Sequence, residues 1–286
     1  MISSNEGGLI RDISDTARWV AVYRARESER PDAVFSDPFA RRLAGERGEH
    51  IADALPFGDK AAWSWTARTH LIDQMIGNEV RRGVDLVVNL AAGLDARPYR
   101  MDLPRSLKWV EVDLPQILDY KEAALSDAQP RCELERVRLD LSDVAGRREL
   151  FDRLGRAARG VLVVSEGLLV YLAAEEVGAL ARDLAAPPAF QRWVIDLPNP
   201  PLLRLLQKQM GDLVAAAGAP YRFAPPEGPS FFNAFGWKPI QVESLLKTAA
   251  RLKRLPFFLR LIALLPDSRG RGTQPWSAVC LLAKSS

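Results

Sequence analysis

The sequence is poor in the side chains that most often bind metals, form disulfides or exchange protons near neutral pH. It contains two cysteines, Cys132 and Cys280, and two histidines, His50 and His70. Two widely separated cysteines supply neither a disulfide framework nor the ligand spacing of a zinc site. We therefore expect reduced thiols, no metal centre and a cytoplasmic location.

Long apolar runs and a strong charge of one sign are also lacking. The most apolar segment, 257–265, is interrupted by Arg260, and residues 1–11 lack the apolar core of a secretory signal. With 39 basic and 36 acidic residues, the net charge is only +3, too small to attract nucleic acid through a large field. The sequence therefore indicates no nucleic-acid partner and no membrane span, and it does not specify an oligomeric state.

The most informative segment is 85–97, which reads DLVVNLAAGLDAR. A β-branched apolar run passes into small residues and then a polar turn, a pattern typical of a buried strand that ends in a tight loop beneath a ligand. A second short strand, 107–113, ends at Asp113, which lies 20 residues beyond Gly93. Doubly wound sheets place a carboxylate against a ribose at about this separation, so the two segments predict an adenosine-type cofactor.

The loop contains one glycine where a dinucleotide-binding fingerprint has three. A cofactor without a pyrophosphate needs only one close approach of the backbone, which favours S-adenosylmethionine over NAD. An ordinary strand-to-helix turn, with an exposed aspartate after the next strand, is the alternative explanation of this pattern.

Beyond residue 97, helical and short apolar segments alternate, which predicts an α/β protein with a mostly parallel sheet. Several of the predicted strands end at a polar side chain. Because the carboxyl ends of parallel strands meet at one edge, where open α/β sheets bind ligands, we expect four such side chains to lie together. They are Asn89, Asp113, Asp140 and Glu166.

Three helices are predicted before this core. The first is expected to be capped by Ser14 or Asp15, and the second to start at Asp37 and to end near Gly45. The third, over about 60–82, carries Arg68 within its apolar stripe. A cation at that position needs a carboxylate, supplied either by a structural Asp or Glu or by the amino-acid tail of a cofactor.

Four ordered motifs resemble those of the leucine carboxyl methyltransferase-like family, and the resemblance extends over roughly residues 14–282. The motifs are VVNLAAGLDAR at 87–97, EVDLP at 111–115, SEGLLVYL at 165–172, and Arg68-Thr69 followed by Ile72-Asp73. That family includes protein-phosphatase carboxyl methyltransferases and bacterial O-methyltransferases, some of which modify polyketides. The resemblance implies a class I methyltransferase Rossmann-like fold, doubly wound around a seven-stranded sheet, with S-adenosyl-L-methionine as cofactor.

The resemblance also implies roles for individual residues. Arg68 would hold the cofactor's carboxylate, Asp113 its ribose hydroxyls and Asp140 its adenine, while Glu166 and Tyr171 would lie near the methionine end. Ala91 stands where the family usually has glycine, and its methyl group should be tolerated if the backbone torsion is ordinary. The catalytic group is unassigned, with Glu166 and Tyr171 as candidates. The expected cofactor-binding set is Arg68, Asn89, Ala91, Gly93, Asp113, Leu114, Asp140, Leu141 and Glu166.

We expect one structural domain with an N-terminal helical extension, 1–83, and a methyltransferase core, 84–286. A cap insertion over about 199–236 should help to form the acceptor site. Its aromatic-rich part, 219–237, is equally consistent with a wall of that site and with a cover over the core.

The predicted function is transfer of a methyl group to the carboxylate or hydroxyl of a small molecule, either polyketide-like or carboxylate-bearing. The alternative within catalysis is a protein C-terminal carboxyl methyltransferase. The alternatives of another class are a non-catalytic S-adenosylmethionine-binding protein and, less favoured, a nicotinamide dehydrogenase.

Overall fold

The computed structural model describes residues 9–10, 13–55, 58–216, 218–268, 270 and 272–285. In this part of the chain, seven strands form one sheet and ten α-helices surround it. The strands are β1 (Leu86–Leu90), β2 (Lys108–Asp113), β3 (Glu133–Arg138), β4 (Val161–Ser165), β5 (Phe190–Pro198), β6 (Trp237–Ser244) and β7 (Ser277–Lys284). The helices are α1 (Ile13–Ser28), α2 (Ala40–Ala54), α3 (Ala62–Arg81), α4 (Arg97–Arg100), α5 (Pro115–Ala124), α6 (Val144–Ala157), α7 (Ala174–Ala185), α8 (Pro200–Ala216), α9 (Leu245–Arg251) and α10 (Phe257–Ile262).

The sheet has the strand order β3-β2-β1-β4-β5-β7-β6. Strands β1 to β5 are parallel, and β7 pairs antiparallel with both β5 and β6. The predicted seven-stranded, mostly parallel sheet is therefore confirmed. The strand order reverses between β1 and β4, and such a switch point opens a crevice at the carboxyl ends of the strands.

The central strand β1 is apolar on both of its faces because helices cover both sides of the sheet. Its successive side chains alternate between two clusters. Leu86 and Val88 belong to the cluster formed with α6 and α7, whereas Val87 packs with the apolar side of α3. The five residues of β1 are all buried, which fixes where the loop after this strand emerges.

Two predicted details of the N-terminal helices are wrong. Helix α1 begins at Ile13, so Ser14 and Asp15 lie within its first turn rather than capping it. Helix α2 begins at Ala40, after Phe39, rather than at Asp37. As predicted, the helical conformation breaks at Gly45, at φ 60° and ψ 179°, and a second helical segment continues from the kink to Ala54. Glycine adopts this torsion at little cost, so the chain can kink and then resume helical pairing.

The aromatic segment 219–237 mainly covers the core. Phe223, Phe232 and Trp237 are buried in the cluster beneath the sheet, and the rings of Trp193 and Trp237 lie 5.6 Å apart in an edge-on arrangement. Burial of large aromatic rings against one another is the usual way to close such a core. Most of this segment is therefore a cover over the core rather than a wall of the acceptor site.

Helix α10 and the turn after it were not predicted as a helix. They hold most of the apolar segment 257–265. None of the helices in the described ranges is both long and apolar enough to cross a membrane.

Candidate functional site

The loop after β1 is tied to the end of β2 by Asp113. The Gly93 N–H donates a hydrogen bond to Asp113 Oδ2 at 2.6 Å, and the Leu114 N–H donates one to Oδ1 at 2.7 Å. Burial raises the pKa of the Asp113 carboxyl above its usual value, against the lowering effect of these two donors. Gly93 has φ 47°, and a Cβ there would lie 3.3 Å from the Ala17 Cβ, so the position favours glycine on two grounds.

Ala91 does not have the ordinary torsion under which its methyl group was expected to be tolerated without cost. Its φ is 51°, in the left-handed region, which costs a residue with a Cβ about 1 kcal/mol or more. The surrounding pairing holds it there, because the N–H of the next residue, Ala92, donates to the Val112 carbonyl. The methyl group of Ala91 was expected to be tolerated only if the backbone torsion is ordinary, and the torsion is not ordinary.

Arg68 projects from α3 to the ends of two central strands. Its Nε donates to Glu166 Oε1 at 2.9 Å, and its Nη1 donates to Asp196 Oδ2 at 3.0 Å. Arg68 was expected to pair either with a structural Asp or Glu or with the amino-acid tail of a cofactor, and in the structure it pairs with Glu166 and Asp196. Burial alone would lower the pKa of Arg68, but Asp196 and Glu166 outweigh it and raise the pKa.

Glu166 is held by a second arginine, from the start of α4. Arg97 Nη1 donates to Glu166 Oε2 at 2.8 Å, and the same guanidinium also pairs with Asp73 and Asp95. Burial alone would raise the pKa of Glu166, but the charges of Arg97 and Arg68 outweigh it and leave this pKa below its usual value. Glu166 is therefore an ionised carboxylate with its charge already paired, which makes it a weak proton acceptor.

These pairs belong to a larger charged cluster that we call the arginine cluster. It joins α1, the segment between α1 and α2, α3, the loop after β1, α4 and the ends of β4 and β5. Its five carboxylates exceed its four arginines by one negative charge. The members are Arg24, Arg68, Arg97, Arg100, Asp37, Asp73, Asp95, Glu166 and Asp196. Arg24 also donates to the Leu94 carbonyl at 2.6 Å, which fixes α1 against the glycine loop.

Two tyrosines lie beside this cluster. The rings of Tyr171 and Tyr221 stack with their centroids 5.5 Å apart. Burial raises the pKa of both phenols, so both are neutral hydrogen-bond donors near neutral pH. Tyr171, like Glu166, is therefore poorly suited to accept a proton.

The cluster, the loop and the tyrosines open onto one cavity of about 1120 Å³. Its volume exceeds the roughly 300–1,000 Å³ of ordinary ligand pockets, which leaves room for a cofactor and a second molecule. All nine residues of the expected cofactor-binding set line the cavity, and so does Tyr171. Neither His50 nor His70 is among the lining residues.

The cap that was expected over about 199–236 lines the cavity only in part. Within 199–236, α8 lines the cavity through residues such as Leu206 and Met210, but of 219–237 only Tyr221 reaches it. Trp19, Trp63 and Trp65 all line it, although Trp65 also stacks on a tyrosine of α1.

Sequence reasoning missed Asp196, which binds Arg68 and also accepts from the Gly167 N–H at 2.7 Å. The sequence contained a signal for it, because Asp196 lies near the carboxyl end of β5. The predicted site carboxylates were chosen because they lie at the same end of other strands. Arg97 was quoted within a motif but received no role. Among the described residues, no group of three His, Cys, Asp or Glu side chains is placed to hold a metal ion.

Comparisons with a family profile and with known sequences point to the same family of methyltransferases. The sequence profile of the family described as leucine carboxyl methyltransferase matches residues 17–185. A relative from Mycolicibacterium paratuberculosis is 36% identical over 183 residues, covering 58% of this chain and 60% of the relative. Another, from Parafrankia sp., is 36% identical over 192 residues, covering 61% of this chain and 60% of the relative. Both are named as candidate S-adenosyl-L-methionine-dependent methyltransferases, and the matches span about three fifths of their lengths.

Solved structures agree with the fold. A DUF574 family protein from Streptomyces avermitilis superposes with a TM-score of 0.60 at 14% identity, covering 95% of this chain and 97% of its own. A candidate methyltransferase from Thermobifida fusca gives a TM-score of 0.55 at 16% identity, covering 99% of this chain and 100% of its own. At these identities, the likeness establishes the architecture alone.

Proposed function

This chain belongs to the leucine carboxyl methyltransferase family, and from that premise we propose that it is an S-adenosyl-L-methionine-dependent O-methyltransferase acting on a small molecule. One observation carries the proposal. The Gly93–Asp113 hydrogen bond and the Arg68–Glu166–Asp196 ion pairs converge on a single cavity at the switch point of the sheet.

The residues present suit this cofactor. Asp113 lines the cavity at the end of β2, where a carboxylate can accept hydrogen bonds from ribose hydroxyls. The excess negative charge of the arginine cluster suits a sulfonium and an ammonium group. Arg68 Nη2, which makes no hydrogen bond within the described part of the chain, is the group proposed to contact the cofactor's carboxylate.

The cofactor supplies an activated methyl group on a sulfonium, so the protein has mainly to orient, bind and exclude water. Arg68 and Glu166 are rigidly placed for orientation because each is bonded to two partners. Trp19 and Trp65, packed edge to face with their ring centroids 6.3 Å apart, present apolar surface beside the polar groups and limit access of water.

We propose that the acceptor atom belongs to a carboxylate rather than to a hydroxyl. A hydroxyl acceptor benefits from a general base, whereas a carboxylate is already ionised at neutral pH. The two candidate catalytic residues are unsuited to that task, because the pKa of Glu166 is lowered by two arginines and that of Tyr171 is raised by burial. Tyr171 is instead assigned as a hydrogen-bond donor that orients the acceptor.

Calorimetric titration with S-adenosylhomocysteine tests the cofactor assignment. We expect the wild type to bind and Asp113→Asn to bind at least about tenfold more weakly, since hydrogen bonds to a charged group contribute about 1.5–3 kcal/mol. Asp119→Asn, on exposed α5 surface, is the matched control and should bind as the wild type does. Loss of binding in both variants, or in neither, would contradict the role of Asp113.

Transfer of labelled methyl groups from S-adenosylmethionine to small carboxylic acids tests the reaction. A methyl ester is hydrolysed by mild base and releases labelled methanol, whereas a methyl ether is not. Base-labile product supports the carboxylate assignment. Base-stable product on a hydroxylated acceptor would replace it with a hydroxyl assignment and would reopen the search for a base.

A further inference from the structure

Helix α10 and the turn after it, residues 257–265, present three different stripes of apolar side chains. Leu259 and Ala263, four residues apart, pack against the core cluster that includes α3 and α9. This contact anchors the helix to the body of the protein. The other apolar side chains of the segment are not needed for that anchorage, and most of them are exposed.

The second stripe, which we call the rim stripe, consists of Phe258, Ile262 and Leu265. These three side chains line the cavity and are at the same time 64%, 49% and 59% exposed. The third, the outer stripe, consists of Phe257, Leu261 and Leu264, which are exposed but do not line the cavity. One short segment therefore carries apolar surface both inside and outside the mouth of the site.

Helix α8 also lines this cavity with apolar side chains. Its apolar lining side chains range from buried, at Met210 with 3% exposed, to exposed, at Leu205 with 39%. Together with the rim stripe, they give the cavity an apolar lining that includes both buried and exposed side chains. Contiguous exposed apolar surface of this kind marks a binding site more often than a free surface.

The two ends of the cavity thus differ in chemistry. The inner end has the hydroxyls of Tyr171 and Tyr221, which can donate hydrogen bonds to the carboxylate or hydroxyl of an acceptor, whereas Arg68 is assigned to the cofactor. The outer part offers mostly hydrocarbon and aromatic side chains, which suit a hydrocarbon chain. A ligand complementary to both ends is amphipathic and long enough to pass between α8 and α10.

We propose that the acceptor is an amphipathic carboxylate whose apolar tail lies between α8 and the rim stripe and emerges at the surface. This inference rests on the proposed function, because it places the carboxylate end beside the methyl-transfer site. The rim stripe, and not the outer stripe, determines the affinity for the tail. A membrane surface or a second copy of the chain would instead use the outer stripe, which faces away from the cavity.

The test measures binding of straight-chain alkanoates of about four to fourteen carbons, below their micelle concentrations, with saturating S-adenosylhomocysteine. Burial of each added methylene should tighten binding by roughly two- to fourfold in the wild type. In the Phe258→Gln/Ile262→Gln variant, this dependence should stop at intermediate lengths. The Phe257→Gln/Leu261→Gln variant changes the same helix by the same chemistry and should retain the wild-type dependence.

Each outcome decides something. A wild-type affinity that does not depend on chain length, or equal losses in both double variants, overturns the inference while leaving the proposed function intact. Sedimentation with phospholipid vesicles or self-association that is lost only in the outer-stripe variant, with alkanoate binding insensitive to the rim stripe, also overturns it in favour of a different partner. Failure of S-adenosylhomocysteine to bind is a separate result and refutes the cofactor assignment, because alkanoate binding is also measured without it.

Discussion

Replacing Ala91 with glycine should stabilise the protein, although glycine usually destabilises. Ala91 has φ 51°, and the left-handed region costs a residue with a Cβ about 1–2 kcal/mol. Against this, glycine adds about 0.5–1 kcal/mol of unfolded-state entropy that folding must overcome. The balance lies between about 0 and 1.5 kcal/mol in favour of glycine, or up to about 3 °C in the midpoint of thermal unfolding.

The neighbouring Ala92 provides the matched control. It is 5% exposed and is not among the described residues with positive φ, so Ala92→Gly removes a buried methyl group and relieves no strain. We expect that variant to lose about 1–2 kcal/mol. Thermal unfolding of both variants beside the wild type makes the comparison, with S-adenosylhomocysteine affinity measured in parallel. Equal destabilisation by the two substitutions would refute the argument that Ala91 is strained.

Three further outcomes follow from the charged groups. Asp196→Asn leaves an acceptor for the backbone but removes a charge from Arg68, so S-adenosylhomocysteine affinity should fall about tenfold or more in calorimetry. Glu111→Gln leaves the fully buried Lys121 without its anion and should cost about 3–5 kcal/mol in urea unfolding. Since the folded-state pKa of Glu166 lies below its ordinary 4.5, its stabilising contribution is complete above that pH and is lost as pH falls further. The thermal midpoint should therefore drop on acidification below about pH 4.5, less steeply in Glu166→Gln.

Exposed residues of the same chemical type serve as controls for these variants. Asp212→Asn, on the exposed side of α8, should leave cofactor affinity unchanged. Glu135→Gln breaks only a surface pair with Arg153 and should cost less than about 1 kcal/mol. If Glu111→Gln costs no more than Glu135→Gln, the buried pair does not stabilise the fold as inferred. An unaltered acid transition in Glu166→Gln would show that the charge on this residue contributes nothing.

Local patterns were sufficient to predict the sheet and the position of the site. The apolar runs of β1 and β4 need burial on both faces, which requires helices on both sides and hence a parallel α/β fold. Polar residues directly after such strands must emerge at one edge. For this reason Asn89, Asp113, Asp140 and Glu166 were expected together, and all four line the cavity.

Details that depend on partners distant in sequence were beyond the same reasoning. Arg68 could be predicted to need a carboxylate, but not to have Glu166 and Asp196, which lie 98 and 128 residues further along the chain. The aromatic segment 219–237 fitted a cavity wall and a core cover equally well, because composition alone does not specify which face of a segment meets the sheet. Helix α10 went unpredicted because its segment is apolar at every position except Arg260 and carries no periodic signal.

The sequence by itself determined the fold class, the cofactor edge of the sheet and the family, since these depend on periodicity and on motifs that are local. Only the tertiary structure decided which charges are already paired, what torsion Ala91 adopts and which apolar stripe of α10 enters the cavity. Those properties arise from packing between elements far apart in the chain. Their energies come from desolvation and from contacts that exist only once the elements have come together.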